Sequence, residues 1–260
     1  SRTLTFAQLS SEIRSAMRTL SGLGIGKGDR VGLFLPMLPE TAVAALAVAG
    51  LGAIFVPIFS GYAPEAAATR LNDAGAKLLG SRVGLLTNAR EAAKLSPSVE
   101  KLLVVQRFGD VPLAKNELPW NTASDPQNPA PDPLPVDSMD PFMLIYTSGT
   151  TGKPKGTVHY HTGFPVKAAQ DLAQCFDLRV DERLFWFTDM GWMMGPWAIL
   201  GGLTLGAAVV LYEGAPDYPG PDRLWEICEK HRVTHLGLSP TLVRALLPHG
   251  EEPVRRHDLS

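Results

Sequence analysis

The sequence predicts an α/β protein in which helices are layered on largely parallel β-sheets. Short apolar runs begin about 24 residues apart in the first half of the chain and alternate with stretches of helical periodicity, the pattern of a parallel sheet. Two longer charge-free runs, 41–59 and 190–212, are interrupted by glycine and proline, so they predict buried helix-to-strand segments and not membrane spans. The 260 residues, 45% of them hydrophobic, suffice for one large core or two smaller ones.

The first half of the chain contains the clearest local signals. A capping box of Thr5 and Gln8 begins a helix whose apolar residues recur at helical spacing until Gly22. The strands predicted after it are 31–35, 53–57, 77–79 and 102–105, and the helices predicted between the first three are 40–49 and 65–73. The glycines from 22 to 28 precede a strand, whereas a dinucleotide-binding fingerprint follows one, so they predict a helix end and a connector.

The second half begins after a proline-rich stretch. Seven prolines fall between residues 119 and 141, which excludes a helix or an interior strand and predicts an extended connector. The later predicted strands are 142–145, 158–159, 184–187, 208–212 and 235–238, and the predicted helices are 164–176, 197–203, 222–231 and one capped by Ser239 with Pro240 at its first position. We therefore predict a first α/β subdomain over 1–118, a Pro-rich connector over 119–141 and a second α/β subdomain over 142–260.

Charge and cysteine content restrict the partners and the compartment. A net charge of −2 argues against nucleic acid or an anionic membrane as the main partner, so any anion site must be local. Cys175 and Cys228 lie far apart without metal-ligand spacing, and the first residues show no signal-peptide pattern, which predicts a reduced, cytoplasmic protein. The sequence leaves the oligomeric state open.

The stretch from Thr147 to Gly156 has the composition of a phosphate-binding loop. Its glycines permit close approach of backbone N–H groups, its hydroxyls add donors and its lysines add positive charge, as a triphosphate of roughly four negative charges requires. The residues predicted to bind the phosphates of a triphosphate are Thr147, Ser148, Gly149, Thr150, Thr151, Gly152, Lys153, Lys155 and Gly156. A surface turn is the simpler alternative, but it does not require such dense hydroxyls directly after a buried strand. A Walker loop is excluded because Gly152 and Lys153 are followed by Pro154.

The same stretch resembles the signature of the adenylate-forming superfamily, Thr-Ser-Gly-(Ser/Thr)-Thr-Gly-x-Pro-Lys-Gly, at every position. The resemblance implies that Thr147 and Lys155 are catalytic through the β- and γ-phosphates of ATP, and that Thr147 or Thr150 contacts Mg²⁺. Similarity extends over residues 3–260 and indicates the acetyl-CoA synthetase branch, so the chain resembles the N-terminal domain of such an enzyme, truncated. The motifs that carry it are Gly26-x-Gly28-Asp29, Phe59-x-Gly61-Tyr62-x-Pro64-Glu65, Asp189-Met190-Gly191-Trp192 and Glu213 to Pro219.

In that branch the residues around Trp192 line the acyl pocket and the channel of the pantetheine thiol. The resemblance thus implies a pocket made by Asp189, Gly191, Trp192, Met193, Met194 and Gly195. Large apolar side chains, including Trp186 and Trp197, beside glycines also suit a pocket for a short acid, with plain core packing as the alternative. Typical acetate enzymes carry small β-branched residues after this tryptophan, so Met193 and Met194 leave the acid open.

The family places a basic residue for CoA near Arg90 and a polar one at Asp217, and the alternative for Arg90 is an exposed helical arginine. His159 and His161 are predicted to be structural or to lie on the surface. The family's adenine, ribose and magnesium contacts and its C-terminal lysine have no counterpart in these 260 residues, so we expect an N-terminal portion with little activity alone.

The resemblance implies an AMP-forming acyl-CoA synthetase that activates a small, acetate- or propionate-like carboxylic acid with ATP and Mg²⁺ and transfers the acyl group to CoA. Two alternatives stay open. One is an adenylation domain that passes the acyl group to a carrier protein, and the other is a nucleotide-binding fragment without turnover of its own.

Overall fold

The computed structural model describes residues 2–107, 109–120, 130–147 and 152–260. The chain forms two compact units, which divide between Thr162 and Gly163. Both units combine helices with mainly parallel strands, which confirms the α/β fold expected from the sequence.

The first unit is built on a seven-stranded sheet. In chain order its strands are β1 (Arg30–Leu33), β2 (Ile54–Pro57), β3 (Leu78–Arg82), β4 (Lys101–Val105), β5 (Glu117–Pro119), β6 (Pro141–Thr147) and β7 (Lys155–Tyr160). They lie in the order β5-β4-β3-β1-β2-β6-β7, and neighbouring strands are parallel except β6 and β7. The helices of this unit are α1 (Phe6–Gly22), α2 (Pro39–Gly50), α3 (Pro64–Ala74) and α4 (Leu86–Lys94).

Local sequence explains how these helices begin and end. The Thr5 side chain accepts a hydrogen bond from the Gln8 amide, and the Gln8 side chain accepts one from the Thr5 amide, which confirms the capping box of α1. Helix α3 begins at Pro64, which has no N–H to leave unpaired, and ends at Gly75, whose φ of +59° favours a residue without a Cβ.

One part of the core of the first unit lies between the sheet and helices α3 and α4, and helices α1 and α2 contribute further buried residues. Strands β1, β3 and β4 consist almost entirely of buried residues, as strands covered on both faces do. One apolar cluster joins Leu71 of α3, Ala89 of α4, Leu79 of β3 and Tyr146 of β6. Tyr146 therefore anchors the end of β6 in the core, directly before the predicted phosphate loop.

The division into units differs from the sequence prediction. Strands β6 and β7, which were expected to open a second subdomain over 142–260, extend the first sheet, so the first unit continues to Thr162. An apolar run predicts burial but does not say which sheet a strand joins. In the proline-rich connector, residues 121–129 lie outside the described residues, Pro119 ends the edge strand β5, and the Leu134 amide donates to the Gly50 carbonyl at 2.8 Å.

The second unit has a three-stranded parallel sheet with the order β10-β8-β9. Its elements are α5 (Phe164–Cys175), β8 (Arg183–Trp186), α6 (Met194–Thr204), β9 (Ala208–Val210), α7 (Arg223–His231), β10 (His235–Gly237), α8 (Pro240–Leu246) and α9 (Glu252–Arg255). Ser239 caps α8 by accepting from the Leu242 amide at 3.2 Å, as its sequence predicts. The buried residues Phe185, Leu224 and Ile227 hold α7 against this sheet.

The two charge-free runs are helix-to-strand segments, as predicted. The first contains α2 and β2, and the second contains α6 and β9. Among the described residues, no helix has both the length and the apolar character needed to cross a membrane.

Candidate functional site

The predicted phosphate loop connects the two strands of an antiparallel hairpin. Thr147, the last residue of β6, lies directly opposite Lys155, the first residue of β7. This pairing brings the two ends of the loop together and puts the side chains of Thr147 and Lys155 on the same face of the hairpin at its base. Four of the predicted phosphate-binding residues, Ser148, Gly149, Thr150 and Thr151, lie outside the described residues.

The described residues of the loop are accessible to a ligand. Thr147, Gly152, Lys153 and Lys155 are all exposed. Gly152 has a φ of +80° and open space where a Cβ would stand, so glycine is favoured here by the backbone conformation and not by lack of space. Exposed hydroxyl and ammonium groups beside a glycine turn form a donor set that suits phosphate oxygens.

Gly156 is required for a different reason. It lies within β7 opposite Tyr146, and a Cβ at this position would stand 2.9 Å from Leu144 Cδ1 and 3.3 Å from Tyr146 Cε1. The sequence analysis assigned this glycine to an inward curl of the loop. In the structure its role is steric, because it lets β7 pass close over the Tyr146 ring.

Tyr146 connects the base of the loop to helix α3. Its hydroxyl donates to Asp73 Oδ2 at 2.6 Å. The Arg70 guanidinium lies 5.9 Å from the Tyr146 ring centroid and 4.1 Å from the Tyr62 ring centroid, and it donates to the Tyr62 hydroxyl at 3.0 Å. Burial, followed by the hydrogen bond with Asp73, raises the pKa of Tyr146 far above its ordinary value, so the hydroxyl stays protonated.

Sequence reasoning did not single out Tyr146, Asp73 or Arg70 as site residues. The available signal was modest: Tyr146 directly precedes Thr147, and Arg70 and Asp73 are spaced to share one face of a helix. Nothing in the sequence shows that α3 and β6 meet.

The predicted acyl pocket lies in the turn before α6. The Asp189 side chain accepts from the Gly191 amide at 2.8 Å, and its carbonyl accepts from the Trp192 amide at 3.1 Å. Gly195 packs on the same turn, because a Cβ there would stand 2.5 Å from the Asp189 carbonyl oxygen. Trp192 and Met193 are 55% and 54% exposed, so both can meet a ligand.

The other two tryptophans of this region belong to the packing of the second unit. Trp186 and Trp197 meet edge to face with centroids 5.0 Å apart, and Phe176 contacts both. Trp197 is buried, and its Nε1 donates to Asp171 Oδ2 at 3.3 Å. For Trp186 and Trp197 the core alternative fits their surroundings, whereas the exposed Trp192 stays a predicted pocket residue.

Arg90 is held by a buried carboxylate. Its Nε and Nη2 donate to the two oxygens of Glu117 at 2.6 and 2.7 Å, and Nη2 also donates to the Pro112 carbonyl at 3.0 Å. The Glu117 side chain is only 3% exposed. The cleft beside this pair, about 220 Å³, is smaller than the usual site for a drug-sized ligand. A contact between Arg90 and CoA stays a prediction, and it would compete with the Glu117 pair.

The remaining predicted residues are placed as follows. Asp217 is exposed in the connection between β9 and α7, where its predicted contact with CoA stays open. Burial lowers the pKa of both His159 and His161, which favours their neutral forms. His161 also packs against Phe142 with ring centroids 5.3 Å apart, in keeping with a structural residue.

Comparison with known proteins gives a consistent result. The sequence profile described as AMP-binding enzyme matches residues 1–260. The acetyl-coenzyme A synthetase of Gemmatimonas aurantiaca is 43% identical, and the match covers 100% of this chain and 42% of that protein. The acetyl-coenzyme A synthetase of Deinococcus radiodurans is 42% identical with the same coverage, 100% and 42%. Among solved structures, acetoacetyl-CoA synthetase from Streptomyces lividans matches with a TM-score of 0.87 at 29% identity, covering 99% of this chain and 41% of that one. The chain spans about two fifths of the length of these relatives.

Proposed function

The chain belongs to the AMP-binding enzyme family, and we propose on this premise that it is part of an AMP-forming acyl-CoA synthetase for a small carboxylic acid. In the proposed first step, a carboxylate oxygen attacks the α-phosphorus of ATP in line. The acyl O–P bond forms, the bond from the α-phosphorus to the bridging oxygen breaks, and pyrophosphate leaves with the electron pair. In the second step the CoA sulfur, having lost its proton, attacks the acyl carbonyl, and AMP leaves.

The observation that carries the proposal is the base of the hairpin, where Thr147 and Lys155 are cross-strand neighbours. Negative charge grows on the β- and γ-phosphates as pyrophosphate departs, and an ammonium and a hydroxyl fixed at that position stabilise it without reorganisation. Lys153, exposed in the same connection, adds a second cation. Thr147 and Lys155 are therefore the proposed catalytic residues, and they act electrostatically.

A magnesium ion would supply further neutralisation of the phosphates. In the part of the chain that the structure describes, no group of three or more His, Cys, Asp or Glu side chains is placed to hold a metal. Mg²⁺ is usually held by one or two protein ligands together with phosphates and waters, so this arrangement fits a metal carried by the nucleotide. Of the two hydroxyls predicted to contact Mg²⁺, Thr147 is exposed at the end of β6 and Thr150 lies outside the described residues.

The acid is proposed to bind beside Trp192 and Met193, whose exposure leaves them accessible. The relatives are named as acetyl-CoA and acetoacetyl-CoA synthetases, which supports a short acid. Met193 and Met194 are larger and more flexible than β-branched residues, and turnover with acids from acetate to butyrate identifies the preferred acid. The unpaired thiols Cys175 and Cys228 support a cytoplasmic location.

Pyrophosphate exchange by the complete enzyme tests this proposal. Replacing Lys155 by alanine should slow acid-dependent exchange about a hundredfold, because one well-placed donor at such a site contributes about 3 kcal/mol. Lys115→Ala is the matched control: it removes an equally exposed lysine next to β5, at the opposite edge of the same sheet from β7.

The contrary results are clear. If the Lys155→Ala variant exchanges pyrophosphate as fast as the parent enzyme, the hairpin has no part in the mechanism. Exchange by the parent enzyme without release of an acyl-CoA would indicate a carrier-protein acceptor, and no exchange with any acid from acetate to butyrate would contradict the proposal.

A further inference from the structure

Tyr146 is fixed on two sides at the point where β6 leaves the core. On one side its hydroxyl donates to Asp73 Oδ2 at 2.6 Å. On the other side β7 passes over its ring at Gly156, where a Cβ would stand 3.3 Å from both Cε1 and Cζ. The side chain is 7% exposed, so neither its ring nor its hydroxyl has freedom to move.

The position of Tyr146 determines the position of the next residue. Successive side chains of a strand point to opposite faces and are about 3.3 Å apart along it. With Tyr146 buried toward α3, Thr147 is directed to solvent, and its partner Lys155 follows from the pairing of the strands. A small shift of the tyrosine would therefore displace both residues at the base of the loop.

Arg70 supports the tyrosine from α3. Arg70 is itself buried, and its guanidinium lies 4.1 Å from the ring centroid of Tyr62 and 5.9 Å from that of Tyr146. Its donors are directed at the Tyr62 hydroxyl and the Ala66 carbonyl, at 3.0 and 2.6 Å. The cation thus fills the space beside Tyr146 and connects it to the segment that follows β2.

Building on the function proposed above, we propose that the hydrogen bond from Tyr146 to Asp73 is a positioning contact that holds Thr147 and Lys155 in register with the β- and γ-phosphates of ATP. Tyr146 is not assigned a role in proton transfer. Its hydroxyl is directed at Asp73 on α3, and the raised pKa keeps it protonated. The contact acts through Thr147 and Lys155, so its loss should weaken the binding of ATP and pyrophosphate and leave the binding of the acid unchanged.

The test uses the complete enzyme with Tyr146→Phe and Asp73→Ala, each of which removes the hydrogen bond and keeps the rest of the hairpin. We expect the KM values for ATP and pyrophosphate in the exchange reaction to rise about tenfold, equivalent to about 1.4 kcal/mol. The KM for the acid and the calorimetric affinity for AMP, which lacks the β- and γ-phosphates, should change by less than about twofold.

The control variant is Asn72→Ala. Asn72 is in the same turn of α3 but donates to the Leu95 carbonyl at 2.8 Å, away from Tyr146. The Asn72→Ala variant should leave the KM values for ATP, pyrophosphate and the acid, and the affinity for AMP, unchanged. An equal rise in the ATP constant of the Asn72→Ala variant would show that any loosening of α3 has this effect, and it would overturn the proposal.

A double-mutant cycle separates positioning from general destabilisation. If the two side chains act through one bond, Tyr146→Phe combined with Asp73→Ala should be no worse than either single variant. Asp73→Asn keeps an acceptor for the hydroxyl, so it should recover most of the loss. Additive effects, no recovery by asparagine, or equal rises in the constants for AMP and ATP would each refute the inference.

The exchange rate of the parent enzyme distinguishes this inference from the function on which it rests. Absence of exchange in the parent enzyme refutes the proposed function. Normal exchange in the parent together with unchanged ATP constants in Tyr146→Phe refutes the positioning contact alone. Because Asp73 is exposed, Asp73→Ala leaves the core intact and gives the answer even if Tyr146→Phe folds poorly.

Discussion

Replacing Arg90 by methionine should release the edge strand β5 from helix α4. Arg90 is on α4, and Glu117 is the first residue of β5. Their two hydrogen bonds, at 2.6 and 2.7 Å, connect the helix to β5 at the edge of the sheet. Without the guanidinium, the Glu117 carboxylate would stay buried with no cation beside it.

The magnitude follows from the burial of the two partners. Removing one member of a fully buried ion pair costs about 3–5 kcal/mol, since an unpaired charge is left behind. The Glu117 side chain is 3% exposed but that of Arg90 is 39% exposed, so water replaces part of the lost interaction. We therefore expect about 2 kcal/mol, or a population of the open edge strand that is about thirtyfold larger.

Hydrogen exchange of the peptide containing β5 measures this opening in a protein of any size. The Trp120 amide, which donates to the Val104 carbonyl of β4 at 2.9 Å, is the reporter. Its exchange should be about thirtyfold faster in Arg90→Met. In the double variant with Glu117→Met it should return close to the parent rate, because an apolar pair of similar volume often replaces a buried ion pair without loss.

The result that would refute this reasoning is a double variant that opens at least as fast as Arg90→Met. The same double variant decides whether Arg90 contacts CoA. If the ion pair is its main role, the KM for CoA should stay within about twofold of the parent value. A rise of about tenfold or more, with β5 still closed, would confirm the CoA contact predicted from the sequence.

Three further results are expected. Gly156→Ala should lower the free energy of unfolding by about 1–2 kcal/mol and slow pyrophosphate exchange, because its Cβ would stand 2.9 Å from Leu144 Cδ1; unchanged unfolding in urea would contradict this. Trp192→Ala should cost less than about 1 kcal/mol of stability, since the side chain is 55% exposed, yet raise the KM for the acid if it lines the pocket. The hydrogen bond to Glu229 raises the pKa of His257, so the stability that His257 contributes is present below its ordinary pKa of 6.5 and lost as the pH rises through the folded value; His257→Gln should remove this pH dependence from urea unfolding.

The sequence predicted those elements whose signals are local. The capping box at Thr5 and the Ser239-Pro240 pair each fix a helix start within a few residues, and both are confirmed. The strands β1 to β4 were found from their apolar character, because strands covered on both faces are apolar throughout. The three-residue strand β5 was not predicted, since so few residues carry little periodicity. Helix α4 was also not predicted, although its buried residues Leu86, Ala89 and Ala92 recur at helical spacing.

Pairing between distant segments could not be predicted in the same way. Five of the six residues in β7 are exposed, so the strand has no alternating apolar pattern to show that it pairs with β6. The boundary between the two units was placed at 142 because the proline-rich stretch ends there, whereas the structure divides the units after Thr162. The sequence indicated Arg90 as a candidate site residue but not its partner Glu117, and it indicated neither Tyr146 nor its partner Asp73.

Gly152 and Gly156 show how one motif can contain two physical requirements. At Gly152 the backbone has φ +80° and there is open space around a Cβ, so conformation alone demands a glycine. At Gly156 the φ lies outside the left-handed region, and the requirement comes from the Leu144 side chain and the Tyr146 ring that a Cβ would approach. In the proposed phosphate site, the glycine at 152 is therefore demanded by its own backbone conformation, whereas the base that carries Thr147 and Lys155 depends on packing against the core. If the proposed phosphate site is right, a substitution at Asp73 in α3 should weaken phosphate binding without altering any residue of the loop, because Asp73 accepts the hydrogen bond of Tyr146 at its base.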